Sequence, residues 1–126
     1  MSLPEHIERV AARTADALLA RMDRARAVVV ATEDGFRVAC ATNQTLDTSR
    51  LAAITSSMTA IGETVSRETG LGAVRCLMVE SEDGYLVMRA TRHASLGLVV
   101  AALVGHDALL GLVIHGVAEA ARELAL

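Results

Sequence analysis

The sequence predicts a single α/β (α+β) domain whose elements follow the order α-β-β-α-β-β-β-α. Three segments carry apolar residues at the three- and four-residue spacing of amphipathic helices. Two other segments place the triplet Glu-Asp-Gly between short apolar runs, which is typical of hairpin turns: Glu33–Gly35 and Glu82–Gly84. The 126 residues, 52% of them apolar, suffice for one hydrophobic core and not for two, so we expect one domain over residues 1–126.

The first helix and the first hairpin precede a polar stretch that starts at Thr42. The apolar side of the helix consists of Ile7, Val10, Thr14, Leu18 and Met22. This helix should end near Asp23. The run Val28–Ala31, which contains three β-branched valines, predicts a buried strand, and Phe36–Ala41 its hairpin partner, with Gly35 as the turn residue.

The second helix is the longest predicted element. Asp47 or Thr48 can cap its N-terminus, and Gly70 is the residue type favoured just past a helix C-terminus. At 100° per residue its large apolar residues share one face, which we expect to pack on the sheet. These residues are Leu51, Ile54, Met58, Ile61 and Val65.

A second hairpin, a buried strand and a last helix complete the chain. Val74–Glu80 and Tyr85–Ala90 predict the hairpin strands, with Gly84 as the turn residue. Ser95–Val104 is apolar on all sides, and its valines favour a central strand buried on both faces over a helix. Asp107–Leu124 predicts the last helix, with Asp107 as its cap.

The strand predicted at Val74–Glu80 would lie at a sheet edge. An apolar edge invites pairing with another chain. We therefore expect a homodimer through the edge residues Val74, Cys76, Leu77, Met78 and Val79. A two-fold axis at this strand would bring Cys76 close to its own copy.

Composition excludes several classes of function. The net charge of −3 gives no attraction for nucleic acid, and an aromatic content of 2% excludes base-stacking platforms. Phosphate loops usually carry a lysine, and this chain has none. No nucleophile–base pair stands out, and the histidines and cysteines lack metal-ligand spacing, so we predict no catalytic residue, cofactor or metal. The histidines and cysteines of the chain are His6, His93, His106, His115, Cys40 and Cys76.

The sequence also gives no reason to expect a membrane protein. Its longest apolar run, Leu96–Gly105, is shorter than the about 20 residues that a membrane span needs. The N-terminus lacks the basic and apolar regions of a signal peptide, and two cysteines do not make a disulfide scaffold. We expect a cytoplasmic protein without direct membrane insertion.

A second stripe of the long helix contains only small residues: Ala53, Ser57, Ala60 and Thr64. They span an arc of about 60°. Small side chains let another backbone approach closely, and an exposed helix face usually carries charges, which this stripe does not. We interpret the stripe as a docking surface for a helix or a partner protein. The alternative is a solvated face in an alanine-rich chain.

The order of elements and four segments resemble the roadblock/dynein light-chain family. The segments are Arg26–Phe36, Leu51–Glu63, Gly84–Val87 and His106–Leu112. The resemblance implies a profilin-like layered fold, with a five-stranded antiparallel sheet between the long helix and the two terminal helices. It also implies a non-enzymatic homodimer in which the third strands pair and the long helices lie side by side.

For function, the resemblance implies an adaptor or regulator of a small Ras-like GTPase in a bacterial signalling system, with a sensor-kinase-like protein as a further partner. The family contacts GTPases through the paired long helices, where the stripe of small residues fits. The family is thought to remodel the GTPase rather than insert an arginine, and Arg50 and Arg67 lie off the stripe. The alternative is a small-molecule sensor or a purely structural scaffold, which an internal pocket would distinguish.

Overall fold

Three helices and five strands follow one another in the predicted order in the computed structural model, which describes residues 3–126. The elements are α1 (Glu5–Arg21), β1 (Ala25–Thr32), β2 (Arg37–Thr42), α2 (Thr48–Glu68), β3 (Leu77–Ser81), β4 (Gly84–His93), β5 (Leu96–Gly105) and α3 (Leu110–Ala125). Within this described part of the chain, none of the helices combines the length and apolar character of a membrane span.

The strands form one antiparallel sheet in the order β2-β1-β5-β4-β3. The expected five-stranded antiparallel sheet is therefore confirmed. The apolar segment predicted as a central strand is β5, which pairs with β1 on one side and β4 on the other and is buried over most of its length. β3 lies at one edge of the sheet, and β2 lies at the other.

The helices cover the two faces of the sheet in separate layers. Side chains of β1 alternate between these layers: Val28 and Val30 belong to the core under α1 and α3, whereas Val29 and Ala31 pack with Ala52 of α2. The core is consequently divided between the two faces of the sheet, and α2 is the one helix of the described residues that covers its face.

Both ends of α2 have the predicted caps. At the N-terminus, the Asp47 side chain accepts a hydrogen bond of 3.0 Å from the Arg50 backbone N–H. At the C-terminus, Gly70 has φ +70, and the Leu71 N–H donates to the Ser66 carbonyl at 2.9 Å. This is the pattern of a Schellman cap. The caps fix the length of the helix that carries the candidate site.

Two predicted boundaries are wrong. β3 starts at Leu77, so Val74 and Cys76 precede the edge strand to which the sequence assigned them. Positive φ values at Gly70 and Gly72 keep this connection irregular, and pairing with β4 begins only at Leu77 opposite Met88.

The last helix begins at Leu110 rather than at Asp107, and Asp107 does not cap it. Instead, Asp107 Oδ2 pairs with Arg24 Nε at 3.1 Å, across the turn that follows α1. The helix starts after Leu109 without a side-chain cap. The ion pair and the late start leave Leu109 on the surface, where it is 71% exposed.

The two predicted turn glycines differ in their roles. Gly35 lies in the β1–β2 turn and has φ +97, a conformation that favours glycine. Gly84 is not a turn residue but the first residue of β4, opposite Ser81. A Cβ on Gly84 would lie 2.2 Å from the Val104 carbonyl oxygen, so glycine is needed there for the close approach of β5.

Gly84→Ala should therefore destabilise the fold, whereas Gly111→Ala should not. The first substitution forces a methyl group against the backbone of β5, and we expect it to lower the free energy of unfolding by about 1–3 kcal/mol. An added Cβ at Gly111 meets no atom within 4 Å, so alanine in this helix should raise stability by up to about 1 kcal/mol. Urea denaturation of both variants measures the difference, and equal stability of the two would contradict it.

Candidate functional site: the long helix and the adjacent sheet edge

α2 turns a face of small and hydroxyl-bearing residues toward the sheet. Its buried residues are Thr48, Ala52, Thr55, Ser56, Thr59 and Ser66. Three of the hydroxyls donate hydrogen bonds to the backbone: Ser56 Oγ to the Thr32 carbonyl at 2.7 Å, Thr59 Oγ1 to the Thr55 carbonyl at 2.9 Å, and Ser66 Oγ to the Gly72 carbonyl. Apart from Thr55 Oγ1, which is buried without a partner among the described residues, the hydroxyls of this face keep a hydrogen bond when they are buried. The small size of these residues lets the helix lie close to the strands.

The prediction that the large apolar face of α2 packs on the sheet is confirmed for Leu51 and Met58, which pack against buried residues of the sheet, and is wrong for the other three residues. Ile54 is 45% exposed, Ile61 64% and Val65 53%, while Leu51 and Met58 are only half-buried. Small residues fill most of the contact with the sheet, so Ile54, Ile61 and Val65 lie along the flank of the helix. We call Leu51, Ile54, Met58, Ile61 and Val65 the apolar stripe.

The apolar stripe continues onto the β3 edge. Leu77 packs on α2 at Gly62, where an added Cβ would lie 3.4 Å from Leu77 Cδ1. Met58, Ile61 and Val65 line an open groove of about 870 Å³ together with Leu71 and Leu77. Met78, the next residue of the edge strand, is 42% exposed. The chain therefore presents an apolar helix flank beside the edge of a sheet.

The small stripe predicted as a docking surface is exposed along its whole length. Ala53, Ser57, Ala60 and Thr64 are all exposed, and the stripe lies about 110° around the helix axis from the apolar stripe. Two residues of the stripe have close contacts with residues outside it. The Ala53 Cα lies 3.5 Å from the position of a Cβ on Gly35, and Arg67 Nη2 donates to Thr64 Oγ1 at 3.4 Å.

The histidines and cysteines do not converge on one site. His93 Nδ1 lies 3.0 Å from the Leu124 carbonyl oxygen, and the ring centroids of His6 and His93 are 6.1 Å apart. Among residues 3–126 no group of three or more His, Cys, Asp or Glu side chains could hold a metal ion. Burial raises the pKa of the Cys76 thiol, an effect that the positive charge of Arg89 offsets in part. This thiol is therefore protonated at neutral pH and a weak nucleophile.

Sequence reasoning missed the exposure of the apolar stripe, although one signal was available. The residues at positions 48, 52, 55, 59 and 66 also share one face at helical spacing, and all of them are small. A helix with an apolar face and a small, hydroxyl-rich face offers two possible contacts with a sheet. The spacing alone does not choose between them.

Comparisons with known proteins agree with this architecture. The model of the Roadblock/LC7 domain matches residues 11–102. A Roadblock/LC7 domain from Streptomyces avermitilis is 20% identical, with 89% of this chain and 92% of that chain covered and a TM-score of 0.79. Myxococcus xanthus MglB is 22% identical, with 99% and 91% covered and a TM-score of 0.77. The gliding protein MglB from Thermus thermophilus is 17% identical, with 99% and 93% covered and a TM-score of 0.82. No curated protein matches the chain by sequence.

The contact between α2 and the sheet can be tested with two hydroxyl deletions. Thr55 Oγ1 is buried and has no hydrogen-bond partner among the described residues, so Thr55→Val should raise the free energy of unfolding by about 1 kcal/mol. Ser56→Ala removes a satisfied hydrogen bond to Thr32 and should lower it by about 1 kcal/mol. Chemical denaturation compares the two variants, and a destabilised Thr55→Val protein would show that the face is arranged differently.

Proposed function

Since this chain belongs to the Roadblock/LC7 family, we propose that it is a cytoplasmic, homodimeric and non-enzymatic adaptor that binds a small Ras-like GTPase and modulates its nucleotide cycle. One observation carries the proposal: α2 exposes two stripes of different chemistry. The apolar stripe adjoins the β3 edge, and the uncharged stripe of small residues lies farther around the helix.

The apolar stripe and the β3 edge are suited to the same partner, a second copy of the chain. An edge strand offers unpaired backbone groups, and β3 adds a half-exposed Met78 to them. A two-fold axis beside β3 would pair the two edge strands and bring the two α2 flanks together. Ile54, Ile61 and Val65 would then leave water, at roughly 25 cal/mol for each Å² of apolar surface buried.

The stripe of small residues remains available in such a dimer and is suited to the GTPase. Ala53, Ser57, Ala60 and Thr64 allow a close approach of the partner backbone, and the stripe itself carries no charge to desolvate. Arg67, beside the stripe, hydrogen-bonds Thr64 within its own helix. We therefore assign no arginine finger, and the proposed effect on the GTPase is a change in its conformation.

The groove beside α2 supports this function over small-molecule sensing. It is open along the surface, and its lining is mainly apolar, with Met58, Ile61, Val65, Leu71 and Leu77. A small-molecule site usually encloses its ligand and directs several polar groups at it. An open apolar groove next to a strand edge is more typical of a protein–protein contact.

Met78→Pro should dissociate the homodimer without unfolding the protomer. The two-residue loop between β3 and β4 makes Ser81 and Gly84 a hydrogen-bonded pair, so Leu77, Val79 and Ser81 bond to β4. Met78 alternates with them and directs its N–H outward, where proline removes a donor to the second copy.

Sedimentation at about 10 µM should show a monomer for Met78→Pro and a dimer for the wild type and for Met78→Ala, which keeps the donor. Leu77→Pro is less informative, because its missing N–H would break the hairpin itself. A dimeric, folded Met78→Pro protein would contradict pairing through β3.

Ala60→Arg should abolish GTPase binding while leaving fold and dimer intact. The new side chain starts from an exposed position and reaches water, but it would hold a docking backbone away and place a charge in the contact. We expect the affinity for the small Ras-like GTPase that the wild type binds to fall about 100-fold or more. Titration by calorimetry, together with a thermal melt, measures both effects.

Ala12→Arg is the matched control, since Ala12 is an exposed alanine of α1 on the opposite layer. Undiminished binding by a folded Ala60→Arg dimer would rule out the stripe as the GTPase contact. Loss of binding together with loss of the dimer would show that the stripe joins the two long helices instead.

A further inference from the structure

A second apolar surface lies on the helical layer opposite α2. Leu109 is 71% exposed and Leu112 64%, and both border a groove of about 270 Å³ between the end of α1 and the start of α3. The buried side chains of Leu18 and Val113 contribute to its lining. We call this surface the α1–α3 groove. It lies outside the surface formed by the apolar stripe and the β3 edge.

The groove is a rigid feature of the fold. A Cβ on Gly116 would lie 2.9 Å from Leu18 Cδ1, so glycine there lets α1 and α3 approach closely and forms the base of the groove. The Leu109 carbonyl accepts hydrogen bonds from the N–H groups of Leu112 and Val113, at 3.0 and 3.2 Å. The first turn of α3 thus fixes the backbone at both exposed leucines, so a partner would have to order only their side chains.

The chemistry of the rim favours a second copy of the chain as the occupant. Titratable groups at the rim include Arg21, Asp23, Asp107 and His115. Asp107 forms an ion pair with Arg24, and His115 Nε2 lies 3.6 Å from Glu119 Oε1. Arg21 and Asp23, which are two residues apart and opposite in charge, form no ion pair with another residue of the described range 3–126.

A surface that carries both a projecting leucine and an apolar groove is complementary to itself. In a contact about a two-fold axis, each copy gives and receives the same elements, so Arg21 of one copy can face Asp23 of the other. Other protein partners would have to supply both the apolar knob and the matching charges.

We propose that the α1–α3 groove is a second self-association surface, in which Leu112 of one copy enters the groove of another and Arg21–Asp23 pairs flank the contact. This inference rests on the homodimer proposed above: because the groove is separate from β3, it would join such dimers rather than compete with their formation. Two-fold contacts of this kind produce tetramers when they close and longer chains when they do not.

Sedimentation velocity over a range of about 1 to 100 µM tests the proposal, since a Kd of about 10 µM would produce a clear rise in mass over that range. We expect the wild type to grow beyond the dimer with concentration and Leu112→Glu to remain dimeric with an unchanged melting temperature. The matched control is Leu126→Glu, a leucine that is 91% exposed and does not line the groove, which should behave as the wild type.

Charge exchange tests the specificity of the contact. Arg21→Asp should lower the affinity of the association between dimers about fivefold or more, because it places like charges together. The double exchange Arg21→Asp with Asp23→Arg should restore that affinity. A wild type that never exceeds the dimer overturns the proposal, as does a Leu112→Glu protein that associates like the wild type.

Discussion

The close contact between α2 and the sheet determines how the rest of this molecule is arranged. The side of α2 that faces the sheet consists of small residues such as Ala52, Ser56 and Thr59. The hydroxyls of Ser56 and Thr59 donate hydrogen bonds to the backbone. A large apolar side chain on this side would separate the helix from the strands. The large residues are therefore displaced to the flank, where Ile54, Ile61 and Val65 remain about half exposed. An apolar helix flank beside an open sheet edge is what links the fold to the proposed dimer.

The sequence predicted the order of elements, the central position of β5 and the caps of α2, because each of these depends on local chemistry. Turn triplets, a capping aspartate and a terminal glycine act within a few residues. The orientation of α2 does not depend on local chemistry. An apolar stripe at helical spacing indicates a surface that is buried in some assembly, and the spacing is the same whether the partner is the sheet or another protein. The size of the side chains decides which face of α2 contacts the sheet, and this depends on the packing of the whole domain rather than on the spacing of apolar residues.

The other differences between the predictions and the structure also arise from contacts between residues that are distant in the sequence. Asp107 has the chemistry of a helix cap, but Arg24, far away in sequence, forms an ion pair with it and the helix starts three residues later. Gly84 matches a turn pattern, but it is required by the approach of the β5 backbone. In the candidate site, the small stripe is exposed and its role as a docking surface stays a prediction, whereas three residues of the apolar stripe were wrongly assigned to the sheet contact. Propensities describe what a residue can do locally, and packing decides which of these possibilities is used.

The contacts proposed for the β3 edge and for the α1–α3 groove should differ in stability, and this difference suggests an order of assembly. Pairing along β3 would combine backbone hydrogen bonds with burial of the apolar stripe, so it should be the most stable contact. The α1–α3 groove offers two leucines and exposed charges, and exposed ion pairs contribute only about 0–1 kcal/mol and weaken with salt. Its contact should be weaker and reversible. Because the groove and the small stripe of α2 lie on opposite layers of the sheet, association through the groove would leave the proposed GTPase surface accessible. The proposed higher assembly and the proposed GTPase binding therefore use separate surfaces and do not exclude each other.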